Sequence, residues 1–319
     1  MAYITGVSAS TSTQGGYFTD SNGLPKLWVA TETWGLCVRA GLNSSGDWQG
    51  DFDTFFSQRA AQGFTVCMTD PVWCASGSAY HGNTWDGLTP LASGTDPSSS
   101  GLSAAFWTRI DYMIASAASQ GITIGLVIYN TGDDHSSGDF YNTWTTTQWA
   151  AYGALAGARY ASAPNLIWLV GNDDFANFSD SNFNALKGGV TGTGDTHMWG
   201  VWYNPECTSR YDTSAGTAET FGTANSVMNF CYSYNQEYWI IEYAYLEVAN
   251  KGAANLLPAI LGDGYFYTGA SGGAYGTIDR AMRQMWWWVL ASGGRGVCGE
   301  AENVYPWVAG AAAAVTGDW

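Results

Sequence analysis

Short apolar runs alternate along the chain with longer segments of helical period. Residues 27–31, 65–69, 123–129, 166–170, 198–202, 227–230, 239–242 and 296–298 are rich in Val, Ile, Leu, Trp and Met and read as strands. Residues 52–62, 106–120, 148–160, 182–187 and 278–292 carry the three- and four-residue spacing of helices. Two helices are predicted to stop at Gln62-Gly63 and Gln120-Gly121, where a glycine in the left-handed conformation satisfies the last carbonyls and leads into a strand. Repeated strand–helix–strand units imply parallel pairing with right-handed crossovers. Eight such strands predict an α/β fold of the closed (β/α)8-barrel type, and no GxGxxG follows the first strand to suggest a dinucleotide-binding sheet. No repeat or long linker divides the chain, and the Gly/Ser-rich residues 92–102 read as a loop. Residues 1–319 are therefore expected to form a single barrel domain, with 1–20 as an N-terminal extension. Helices are hardest to see in residues 195–238.

A barrel of this kind works at the carboxyl ends of its strands. In strand order those ends carry Glu32, Asp70, Asn130, then Asn172, Asp173 and Asp174, then Asn204, then Glu242, and finally Glu300. Trp34, Trp73 and Trp202 fall just past strand ends, where stacking on a sugar and packing in the core are equally open. So many acids on one rim, with few cations to balance them, suit glycoside hydrolysis. That reaction needs one carboxyl kept protonated for the leaving oxygen and another kept ionised as nucleophile or base. Structural alternatives stand beside this reading: Asp173 as a helix N-cap, Glu242 as half of an ion pair, Glu32 as a purely structural acid.

The stretch Leu166-Ile167-Trp168-Leu169-Val170-Gly171-Asn172-Asp173-Asp174 follows Arg159-Tyr160 and Pro164-Asn165. It resembles the strand-four signature of the apiosidase-like glycoside hydrolases, "RY…pNviWilGGD". LWVATETWGL at 27–36, RAAQGFTV at 59–66 and RQMWWWVLASGGRG at 283–296 are similar to three further family stretches, in the same order. The resemblance covers residues from about 20 to 310. It implies a retaining barrel glycosidase with Asp173 as acid/base, Asn172 beside it holding a sugar hydroxyl, and Glu242 as nucleophile. The family continues "EPxYE" where this chain reads Glu242-Tyr243-Ala244-Tyr245-Leu246-Glu247, so Glu247 stays open as the nucleophile, and Tyr243 and Tyr245 are expected to line the site. The family's first-strand Asp is Glu32 here, a departure that bears on the substrate. The implied substrate is a plant or cell-wall glycan, with furanosidic linkages among the candidates.

Composition narrows the partners. A net charge of −16 with only three lysines argues against nucleic acid and against anionic membranes, and no run is long enough to span a bilayer. Seventeen Trp and nineteen Tyr are more indoles and phenols than a core requires, and sugar clefts use them. His81, His135 and His197 form no metal-ligand spacing, and the six cysteines form no CxxC, so neither metal nor cofactor is expected. One to three disulfides and buried free thiols are equally compatible with those cysteines. The start, Met-Ala-Tyr-Ile-Thr-Gly, shows no secretory pattern. Together with the acidic, Lys-poor composition this leaves a trimmed signal, non-classical export or a virion component, and so an extracellular or virion-associated protein. A second function class remains: a catalytically silent glycan-binding module of a phage tail or cell surface.

Overall fold

Eight buried runs supply the strands of one parallel ring. The structure, a computed structural model, describes residues 2–8, 16–73, 82–131, 143–171, 180–202, 207–208, 211–212, 217–218, 224–232, 257–263, 285 and 294–299. Its elements are β1 (Ile4–Ser8), β2 (Tyr17–Asp20), β3 (Pro25–Lys26), β4 (Trp28–Glu32), α1 (Leu36–Arg39), α2 (Trp48–Ala61), β5 (Val66–Thr69), α3 (Ala104–Ser119), β6 (Thr123–Asn130), α4 (Thr146–Tyr160), β7 (Leu166–Gly171), α5 (Asp180–Gly192), β8 (Trp199–Trp202), β9 (Cys207–Thr208), β10 (Tyr211–Asp212), β11 (Thr217–Ala218), β12 (Asn229–Tyr232), β13 (Ala259–Asp263) and β14 (Gly296–Cys298). Parallel ladders run β12–β13–β14–β4–β5–β6–β7–β8. The seam between β8 and β12 is held by Val227 N–H donating to the Trp199 carbonyl at 3.0 Å and Val201 N–H donating to Ser226 Oγ at 3.2 Å. The result is a nearly closed (β/α)8 barrel, as the alternation of runs predicts.

The helix stops are where the sequence puts them. Gln62 and Gln120 are the C-caps of α2 and α3, and Gly63 and Gly121 follow at φ +88° and +75°. Asp47 caps α2 by accepting the Gly50 N–H, and Thr145 with Gln148 forms a capping box on α4. The expected helix at 278–292 lies outside the described residues except for Met285. One strand expectation needs correcting. The seat between β12 and β14 belongs to Ala259–Asp263, so the seventh strand of the ring is β13. Residues 239–242, expected there, lie outside the described residues. Both segments are short, apolar and end in an acid; only pairing partners tell them apart.

The barrel interior is filled by aromatics seated opposite glycines. A Cβ at Gly296 would collide with Trp28, and one at Gly262 with the Phe230 ring; one at Gly200 would lie 2.7 Å from both Leu169 and Phe230. Each missing side chain makes room for a large one on a neighbouring strand, which satisfies the layered packing a barrel needs with few, bulky residues. At the base, Ile4 and Phe18 from the first antiparallel sheet join the inner cluster, with the Phe18 and Trp28 rings 5.2 Å apart. Ile4 N–H donates to Thr123 Oγ1 at 2.9 Å. Residues read as an extension thus close the floor of the barrel.

Candidate active site

The mouth is built from strand ends, and the first five contribute in ring order. On β4, Trp28 and Ala30 belong to the inner cluster, and alternation gives Glu32 the inward seat of the top layer, where it is buried. The turn after it is clamped to β5: Thr33 N–H donates to the Met68 carbonyl at 2.9 Å and Thr69 Oγ1 to the Thr33 carbonyl at 2.8 Å. Asp70, fully buried, accepts the Val72 N–H at 2.8 Å and so shapes the turn that carries Trp73.

On β6 a register shift between Val127 and Tyr129 changes which face each residue takes. Tyr129 turns outward to stack on Trp149, ring centroids 4.0 Å apart. Burial pushes its phenol above the ordinary range, so it is no proton donor of convenience. The following Asn130 then sits opposite Gly171, which in turn pairs with Trp202, so the three form one row across strands three, four and five.

Trp34 and Trp202, from opposite sides of the ring, approach to 5.4 Å between centroids. Trp202 stacks on Phe230 at 5.5 Å with the planes 4° apart. Both tryptophans are buried, so they pave the bottom of the mouth. Trp73 is buried beside them under the guanidinium of Arg39, 4.8 Å from its ring. Burial pushes the Cys37 thiol up to about 12, and the Asp70 carboxylate adds to that, so Cys37 beneath the mouth is no nucleophile.

Glu32, Asp70, Asn130, Trp34, Trp73 and Trp202 are therefore gathered on one rim and its floor, as strand-end reasoning requires. Asn172, Asp173, Asp174, Asn204, Glu242, Tyr243, Tyr245, Glu247 and Glu300 lie outside the described residues. What is described of the strand-four end is its last residue. Gly171 takes φ +109°, and a Cβ there would collide with the Trp202 carbonyl, so only glycine brings the chain out of β7 so close to β8.

Sequence reading missed Asp263, the last residue of β13. A register shift between Cys231 and Tyr232 sets Asp263 opposite Tyr232 at the carboxyl ends of β12 and β13. Its signal was present as Pro258 opening an apolar run that ends Gly262-Asp263-Gly264.

This rim sits on a barrel whose chain matches the profile of the apiosidase-like catalytic domain across residues 12–319. The chain belongs to the apiosidase-like family. The matched region is that family's catalytic domain, and solved structures agree in fold. A family 5 glycoside hydrolase from Bacteroides vulgatus superposes with a TM-score of 0.72 at 16% identity, over 94% of this chain and 64% of that one. An endo-1,4-β-mannanase from Rhizomucor miehei gives 0.58 at 16% identity, over 97% and 99%. A β-glucanase from Saccharophagus degradans in complex with cellotetraose gives 0.61 at 13%, over 96% and 86%. This apiosidase-like chain spans less than two thirds of the length of that Bacteroides chain. No curated protein matches it.

Proposed function

We propose that this apiosidase-like domain hydrolyses a plant or cell-wall glycan with retention, using Asp173 as acid/base and an acid at the end of strand seven as nucleophile. Asp173 protonates the glycosidic oxygen as the nucleophile bonds to the anomeric carbon and the leaving group departs. Asp173 then takes a proton from water, which displaces the enzyme carboxylate. Asn172, Glu32, Asp70, Asn130 and the rest of the rim hold sugar hydroxyls, with the Trp34–Trp202 floor beneath the ring. Furanosidic linkages are among the targets by the family's name. β-Linked mannans and glucans are candidates by the names of the fold's neighbours. The acidic, lysine-poor composition supports work outside the cytoplasm, free or on a virion.

The observation that carries this reading is a ring in which strand four leads directly into Asn172-Asp173-Asp174 and strand seven ends on an acid. The family motif favours Glu242 as nucleophile. The seat of β13 between β12 and β14, and its register with Tyr232, favour Asp263, which we adopt.

The test is release of reducing sugars from β-mannan, β-glucan and apiose-bearing pectin, with the product anomer read by NMR. Asp173→Asn is expected to lower turnover about 10²–10⁴-fold. Asp263→Asn should abolish it and Glu242→Gln leave it within a few-fold. Loss in Glu242→Gln with retention in Asp263→Asn would return the nucleophile to Glu242. Binding of these glycans without any release would make the domain a binding module.

A further inference from the structure

A cation is built into the edge of the acidic mouth. Arg39 closes α1, the short helix that follows the strand-one turn, and its side chain is half-buried. Its guanidinium lies over the Trp73 ring, 4.8 Å from the centroid. Trp73 and Val38 pack in the same inner cluster as Trp34 and Trp202, the two rings that meet across the mouth. The guanidinium is thereby set on the strand-one and strand-two side of the opening, beside the turn that Asp70 shapes.

The main chain on both sides of Arg39 is held as well. From the strand-two loop, the Trp85 main-chain N–H donates to the Val38 carbonyl at 2.9 Å and its indole N–H to the Ala40 carbonyl at 2.7 Å. A mobile arginine loses rotamer entropy on meeting a ligand; here the backbone is clamped and the head is seated on an indole before any ligand arrives. The fork carries five N–H donors, enough to hold a neighbouring group and still engage an oxyanion. Its surroundings make that position selective. The carboxyl groups of Glu32 and Asp70 and the net charge of −16 disfavour an anion elsewhere on this side of the mouth. An acidic sugar is accepted where its anion reaches Arg39, and in another register it meets carboxyl groups.

We infer that Arg39 reads an oxyanion on the glycan, the carboxylate of a uronic acid or a sulfate ester, so that the substrate of this mouth is an acidic polysaccharide. The inference rests on the reading of the mouth as a glycan site and deepens it by naming the substrate class. A planar fork can engage either anion through two parallel N–H donors, a match that an ammonium does not offer.

The experiment measures retention of the intact chain by affinity electrophoresis in polygalacturonate and its full methyl ester, and in carrageenan and its desulfated form, alongside sugar release from each. Binding to an anionic glycan is expected to be about tenfold tighter in apparent Kd than to its neutral counterpart. Which of the two pairs shows the preference tells carboxylate from sulfate. Arg39→Gln should bring that ratio close to one, and Arg39→Lys should keep part of it, having the charge without the fork. A side chain that only covers Trp73 would leave the ratio where it was. Melting curves identify any variant that has lost its fold, and the wild-type ratio stands without either. A wild type that prefers neither anionic glycan overturns the inference, as does a preference unchanged in folded Arg39→Gln. Preferential binding without sugar release upholds the role of Arg39 and overturns the hydrolase reading alone. Release from neutral glycans only does the reverse.

Discussion

At Gly171 the backbone holds φ +109° while the Trp202 carbonyl occupies the space of a Cβ, one residue before the acid-bearing stretch 172–174. Two costs coincide for any other residue, a left-handed φ and a backbone collision. Gly171→Ala is therefore expected to lose on the order of 2–5 kcal/mol in urea denaturation. An unchanged midpoint would show that strands four and five can part without penalty. The same residue scale shows what sequence reading reaches. Glu32, Asp70 and Asn130 could be found because strand ends are chemical positions in a barrel, whatever the side chain does next. Asp263 was passed over, because 239–242 is denser in Trp and Ile than 259–263, and Gly262, there to admit Phe230, dilutes the strand pattern. Nor does text reveal the shift on β6 that sends Tyr129 outward and Asn130 inward, since a bulge is a property of two strands in register. Cys37, Cys67, Cys231 and Cys298 are buried, and Cys37 is a free thiol, which settles for that one what spacing left open.

Among the elements, α4 and α5 lie against each other through glycine. A Cβ at Gly153 would strike the Leu186 carbonyl, and one at Gly189 the Ala150 carbonyl, both main-chain atoms that cannot swing aside. Gly153→Ala raises intrinsic helix propensity, yet it is expected to destabilise by about 1–3 kcal/mol because the helices must separate; a raised melting temperature would contradict this. Helix propensity in the sequence points the wrong way at this position, and the neighbour decides.

At the base of β7 and β8, His197 Nδ1 lies 2.9 Å from Asp195 Oδ2, and Nε2 lies 2.7 Å from the Ala163 carbonyl. Burial pulls the imidazole down, but the bonds to Asp195 and Ala163 and the carboxylate charge outweigh it and hold it above 6.5. Burial likewise pushes Asp195 up, and the His197 and Trp168 hydrogen bonds overcome that and hold it below 3.8. The stabilisation from His197 is complete below its ordinary value and drains as pH rises through the raised one. That from Asp195 is complete above 3.8 and drains as pH falls through the lowered one. The pair thus contributes most from about pH 4 to 6.5. Melting temperature against pH should show the gap between wild type and His197→Ala widest there and narrowing toward alkaline pH; a constant gap would refute the linkage. The short strands β9, β10 and β11 were invisible to pattern because two residues carry no period.

Across the whole molecule, ring contacts run from mouth to base: Trp34 on Trp202, Trp202 on Phe230, Phe230 on Trp28, Trp28 on Phe18. The abundance of tryptophan, read from composition as a mark of sugar binding, is spent in good part on filling the barrel. Phe18 is the lowest member, delivered by a strand outside the ring. Phe18→Ala is expected to cost about 3–5 kcal/mol in chemical denaturation, as a core cavity does, although the residue lies in the first twenty of the chain; a loss under 1 kcal/mol would mean the floor is dispensable. The pairing of Trp28 with Gly296 has an outcome in time as well as in space. As the polypeptide leaves the ribosome, Trp28 appears long before the glycine that makes room for it. Until then β4 lacks one of its two neighbours and the indole lacks its niche. The strands made between them must wait, half assembled and greasy, for β14, and in that interval holding chaperones have the most to protect.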